Sequence, residues 1–168
     1  MYTKEERPIL EIVLSKTDKR LDFFSSFFFI LLWCISITEF VYLPDIIPIH
    51  FDFAGKPDNY GSKFTLFILP FIISLVFLLF SYLCKRPHIF NYPSKITNEN
   101  AVRLYSIATQ MLRALKLGIT FFCTLILIFV YLTIKHKNIN FGVFILPLIF
   151  CTILFPTIYY CVKLMRSK

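Results

Sequence analysis

Long runs of apolar residues with hardly a charge among them divide this chain: Phe23–Leu43, Phe64–Cys84, Leu117–Ile134 and Phe141–Val162. Each holds about 18–22 residues, which at ~1.5 Å per residue matches the roughly 30 Å hydrocarbon core of a bilayer. A water-soluble amphipathic helix would interleave polar positions, and Phe23-Phe24 and Phe27-Phe28-Phe29 leave no room for them. The pattern predicts an all-α polytopic membrane protein, a four-transmembrane-helix bundle making one membrane domain over residues 1–168. The first run follows 22 residues of mixed charge and precedes no small-residue cleavage site, so it reads as a retained span and not a signal peptide.

The segments between the runs carry their own periodicities. In the 85–116 stretch, Ala101, Leu104, Ala108, Met111 or Leu112, and Leu115 recur at helical steps while Arg103, Gln110 and Arg113 take other faces. With Thr97 placed to cap it and no breaker before Leu117, this predicts one helix of about 37 residues, a cytoplasmic amphipathic extension of the third span that projects from the membrane. Lys135–Asn140 is short enough to make the last two spans antiparallel neighbours. Ahead of the first span, Ile9–Leu14 is too short to cross and is expected to lie along the inner membrane surface, with Thr17 or Asp18 capping the helix behind it. Pro70, Pro147 and Pro156 each remove a hydrogen bond from a span. No small-residue packing repeat is read in the spans.

Residues 44–63 form an ordered outer loop of a different kind. Pro44 and Pro48 favour an extended path, and Ile47, Ile49, Phe51 and Phe53 alternate with Pro48, His50 and Asp52, placing apolar and polar side chains on opposite faces. Gly55-Lys56-Pro57-Asp58-Asn59-Tyr60-Gly61 is dense in turn formers, with Asp58-Asn59 expected to bond its own backbone.

Composition agrees with a membrane residence: 57% of residues are hydrophobic and mean hydropathy is +0.70. The net charge of +8 raises the question of nucleic acid, and its placement answers it. Fourteen of the 18 Lys and Arg lie before the first span, between the second and third, or after the fourth; only Lys56, Lys63, Lys135 and Lys137 lie in the other two loops. That bias predicts cytoplasmic termini and a cytoplasmic central loop. The expected partner is therefore the lipid bilayer, with no nucleic acid. Cys34, Cys84, Cys123, Cys151 and Cys161 all fall within or at the edges of the spans, a placement that suits small apolar filler and encodes no disulfide framework.

Candidate chemistry is sparse. Glu39 is the clear ionisable residue inside a span, one turn from the interface, where it can carry function or pair with Lys63 or Lys135. Asp45, His50, Asp52 and Asp58 join it to make an acidic outer face around one imidazole, and His50 with Asp52 is a weak candidate for a divalent cation. His88 and His136 lie in loops, each expected to be solvated. Four glycines leave no phosphate-binding loop, dinucleotide fingerprint or nucleophile elbow. No cofactor is expected.

Leu43-Pro44-Asp45-Ile46-Ile47-Pro48-Ile49-His50-Phe51, followed by Gly55-x-Pro57-Asp58-x-Tyr60-Gly61-x-Lys63, resembles a bacterial membrane family known only as a domain of unknown function. The same module is similar to the N-terminal part of SdpI-type immunity proteins, which protect a cell against its own secreted toxic peptide. The resemblance implies the bacterial cytoplasmic membrane. Two readings follow. One is a non-catalytic binding, sensing or immunity module whose outer loop (Pro44, Asp45, Pro48, His50, Phe51, Asp52, Gly55, Asp58, Gly61) meets an extracellular peptide, or whose inner side meets a cytoplasmic regulator. The other is a small membrane enzyme or an ion or metal carrier using Glu39, His50 and Asp52.

Overall fold

The computed structural model describes residues 7–52, 54–135 and 142–167. Phe53, His136 and the rest of the link to the fourth span lie outside the described residues. The elements, in order, are α1 (Lys16–Tyr42), β1 (Ile46–Phe51), β2 (Pro57–Ser62), a 3-10 turn at Lys63–Phe67, α2 (Ile68–Cys84), α3 (Ala101–Lys135), α4 (Gly142–Ile149) and α5 (Phe155–Arg166). A π-helical turn at Phe150–Leu154 joins the last two. Among the described residues, four helical stretches are long and apolar enough to cross a membrane: Lys16–Tyr42, Lys63–Leu83, Ala101–Lys135 and Pro147–Arg166.

Asp22 and Phe28 of α1 meet Arg113 and Phe121 of α3 in the same order along both chains, so these two helices run parallel. α2 runs back along α1, Phe77 on Phe29 and Ser74 on Trp33, and the α4–α5 arm runs back along α3, Thr152 at Gly118 and Cys161 at Met111. One end of the bundle carries the β1–β2 hairpin, and the other carries Lys16, Cys84, Ala101 and Arg166; they are called here the hairpin end and the charged end.

Phe23, Phe27, Ile30, Phe71, Leu75 and Leu78 point outward, while Ser25, Ser36, Thr109, Thr120 and Thr124 are buried. This inverts the soluble pattern, because lipid solvates apolar side chains as well as a core does and leaves hydroxyls to join helices. Thr124 Oγ1 donates to the Phe28 carbonyl at 3.2 Å, tying α3 to α1. Ser36 Oγ donates to the Leu66 carbonyl at 2.9 Å. That carbonyl lies four residues before Pro70, whose ring has no N–H to offer it, so a serine on α1 supplies the hydrogen bond that α2 cannot.

The α4–α5 arm uses its proline differently. Pro156 cannot donate to the Thr152 carbonyl, and this oxygen sits against Gly118, where an added Cβ would collide with it. Ala114, one turn earlier on α3, lines the same groove. The small-residue packing face not read from the sequence is therefore present, spaced three intervening residues apart.

Four expectations about local structure change. α1 is capped by Ser15, not by Thr17 or Asp18: Ser15 Oγ accepts from Asp18 N–H at 3.2 Å and Asp18 Oδ2 accepts from Ser15 N–H at 2.8 Å, a reciprocal box with aspartate in the role usual for glutamate. α3 has 35 residues but does not project alone. Ala101, Leu104, Tyr105, Ile107 and Ala108 are buried with Leu164 of α5 and with Leu10 and Ile12. The Ile9–Leu14 segment is thus an extended strap across the charged end, held by Tyr105 Oη on the Pro8 carbonyl and by Arg7 on the carbonyls of His88 and Phe90. Thr97 contributes its carbonyl to Ala101 N–H, and it is Asn100 Oδ1 that closes the start of the helix on Thr97 N–H at 2.8 Å.

Candidate functional site

The loop after α1 folds into an antiparallel hairpin. Pro44 holds Leu43 at φ −91°, ψ 156°, which ends α1. The segment read as a run of turn formers is mostly strand: Pro57–Ser62 pairs with Ile46–Phe51, and the turn itself is Asp52–Lys56. Asp52 makes that turn, its Oδ1 accepting from Lys56 N–H at 2.8 Å and its carbonyl from Gly55 N–H at 2.9 Å. Gly55 sits there at φ 76°, where a side chain would be strained.

Register shifts at His50 break the expected alternation. Ile47 and Phe51 still face the bundle: Ile47 is fully buried, and Phe51 packs on Phe129 of α3 with ring centroids 5.0 Å apart. Pro48 is buried as well. Ile49 instead lies at the surface, its side chain across Gly61, where a Cβ would approach it to 2.7 Å. His50 does not turn to Asp52. Its Nδ1 meets Asp58 Oδ1 at 2.6 Å on the exposed side, while Asn59 Oδ1 accepts from Tyr60 N–H. Asp45 pairs with Lys63 at 3.1 Å. Among the described residues no three His, Cys, Asp or Glu side chains converge as metal ligands do.

Glu39 has neither of the partners considered for it. Lys63 is held by Asp45 and stands 4.9 Å over the Phe40 ring, and Lys135 stands over Tyr131 at 6.0 Å. Glu39 is 3% exposed, and both carboxyl oxygens lack a hydrogen-bond partner among the described residues. It belongs to the wall of a groove of about 400 Å³ between α1 and α3.

The charged end holds a site that the sequence reading missed. Arg113 Nε donates to Asp22 Oδ2 at 3.0 Å and its Nη1 reaches Asp18 Oδ1 at 3.5 Å. Lys116 Nζ donates to Asp22 Oδ1 at 2.8 Å and to Ser81 Oγ at 3.3 Å, and lies 4.7 Å from the centre of the Phe77 ring. Asp18, Arg113 and Lys116 are each at most 5% exposed. A cavity of about 700 Å³ opens beside them, walled also by Leu10, Ile12 and Cys84. Charge counting treats such residues as solvated loop charges. The available signal was spacing: Asp18 and Asp22 share one face of α1, and Arg113 and Lys116 share one face of α3.

These features define a multi-pass, all-α membrane protein with a small extramembrane hairpin at one end. Residues 27–74, covering the second half of α1, the hairpin and the start of α2, match the family model described as "Domain of unknown function (DUF1648)". An uncharacterized protein of Archaeoglobus fulgidus is 31% identical over 81 residues, an alignment covering 44% of this chain and 44% of that relative. No solved structure matches.

Proposed function

We propose that this chain is a non-catalytic recognition module of the bacterial cytoplasmic membrane, with both termini inside and the hairpin outside, where it binds an extracellular peptide. The observation that carries this is the hairpin's division of labour: Ile47 and Phe51 anchor it to the bundle, while Ile46, Ile49, Tyr60 and the His50–Asp58 pair are left at the surface. A two-stranded sheet also offers free edges to an extended peptide, which can add as a third strand. The placement of Lys and Arg supports the orientation, and the resemblance to SdpI-type immunity proteins supports a peptide as ligand. α3, which meets Phe51 through Phe129, runs on to the charged end, where a cytoplasmic regulator would read an occupied hairpin.

The carrier reading with Glu39, His50 and Asp52 has less behind it, because Asp52 is committed to the Lys56 turn and His50 to Asp58. The test exposes cells lacking the protein to peptides secreted by the parent strain. Wild-type chain should restore growth, and His50→Ala with Asp58→Ala, inserted at equal abundance, should not. Equal protection by both refutes the hairpin role. A Lys56→Cys variant in a cysteine-free background should react with a membrane-impermeant maleimide from outside; labelling only after lysis overturns the orientation.

A further inference from the structure

Glu39 is unexplained by the hairpin. A carboxyl group closed off from solvent with both oxygens unpartnered is costly, and natural membrane proteins keep such groups where something else satisfies them. The groove beside it shows what could. Its wall is Leu31, Cys34, Ile35, Thr38, Glu39 and Tyr42 of α1, with Ile128 and Tyr131 of α3 opposite. The gradient along it is ordered. Thr38, Glu39 and Tyr42 lie toward the hairpin end of α1, and Leu31 and Ile35 lie eight and four residues deeper, about 12 and 6 Å at the helical rise. Glu39 is four residues before the Leu43 cap, which sets the carboxyl at interfacial depth. About 400 Å³ is within the range of small-molecule sites.

The charge balance points the same way. Of the two lysines considered as partners, Lys63 is held on Asp45 and Phe40, and Lys135 stands 6.0 Å from the centre of the Tyr131 ring, in the groove's wall, without pairing with the carboxyl. Glu39 carries the one carboxyl among the described residues that line the groove, and two tyrosine rings stand in its wall, a combination that suits a cation.

The geometry points to a binding site for an amphiphile with a cationic amine head and a single apolar tail, the Glu39 carboxyl, closed off in the empty groove, turning out to meet the amine and the tail running past Ile35, Leu31 and Ile128. This site is independent of the hairpin reading and stands or falls without it.

Cys34 gives a local probe, because it lines the groove and is an exposed free thiol. The full chain in lipid nanodiscs is labelled with a maleimide, and modification at each cysteine is followed by peptide mass spectrometry, with and without protonated decylamine. The amine should slow labelling of Cys34 at least fivefold and leave Cys151 and Cys161, exposed elsewhere, unchanged. Decanol at the same membrane concentration should protect less than twofold. Glu39→Gln should abolish protection by the amine. That variant replaces a carboxyl that has no partner to lose, so it should insert and fold, which circular dichroism and thermal unfolding verify. A Lys135→Gln variant should retain full protection. Equal protection by decanol, protection surviving Glu39→Gln, or slowing at all three cysteines alike overturns the proposal. A growth assay that fails for His50 variants while Cys34 protection persists would remove the hairpin reading alone.

Discussion

Replacing Arg113 by Met tests whether the charged end is a dry interior network or a set of surface charges. The guanidinium side chain is 6% exposed and the facing Asp18 side chain 4%. Arg113→Met strips one donor from each of two aspartates, but neither is left bare. Asp22 keeps Lys116 at 2.8 Å, and Asp18 keeps Ser15 N–H at 2.8 Å and Ser15 Oγ at 2.6 Å. Breaking one partner out of a buried pair costs about 3–5 kcal/mol, and the surviving donors place this case at the lower end, about 3 kcal/mol. That corresponds to roughly a hundredfold in the folding equilibrium. Steric trapping of the purified protein in bicelles measures the loss directly. Adding Asp18→Asn in the Arg113→Met background should cost less than it does alone, because the charge it removes has already lost its partner. A loss below about 1 kcal/mol, the range of solvated pairs, would mean that water reaches the cluster and that the burial argument fails.

Other consequences are as direct. Ser36→Ala should destabilise by about 0.6–1 kcal/mol, and by nearly nothing when Pro70→Ala has given the Leu66 carbonyl an N–H of its own; the same trapping assay, run as a double-mutant cycle, decides it. Gly118→Ala should cost about 1–3 kcal/mol, because its Cβ meets the backbone carbonyl of Thr152 and α5 must move away; a change within a few tenths would show that the arm is loosely packed. Glu39→Leu should stabilise the fold by about 1–3 kcal/mol by removing an unsatisfied buried group, and a loss of stability would reveal a partner for Glu39. Gly55→Ala should weaken the hairpin by about 1 kcal/mol, seen as faster amide exchange at Phe51 and Lys56 with α1 and α2 unchanged.

The four spans were legible because lipid imposes length and composition on every helix that crosses it, and those two properties can be read residue by residue. The continuity of α3 was legible for a local reason, the lack of any breaker between Ala101 and Leu117. Where the reading went astray, the deciding interaction was not local. Pro57-Asp58-Asn59-Tyr60-Gly61 contains turn residues by composition, yet it becomes β2 because Ile46–Phe51 lies alongside to pair with it. Ser15 outcompeted Thr17 and Asp18 as cap because Asp18 three residues later reciprocates the bond, while from α3 Gln110 reaches Ser15 and Arg113 reaches Asp18. Arg113 and Lys116 passed for loop charges because their aspartate partners lie 91–95 residues away. Glu39 was legible as an intramembrane acid, but its isolation was not, since the order of the spans puts Lys63 and Lys135 at the same end of the bundle and suggests a pair.

The same long separation has a meaning in time. The helix that carries Asp18 and Asp22 is finished while the segment bearing their cationic partners, 91–95 residues on, has yet to be translated. At ~5–20 residues per second, that interval is roughly 5–20 s. Throughout it, the two carboxylates lack the buried cations that hold them in the finished fold, and the emergence of Arg113 and Lys116 is the event that completes the cluster. The salt-bridged end is therefore a contact that the chain can complete only after its third helix has been made.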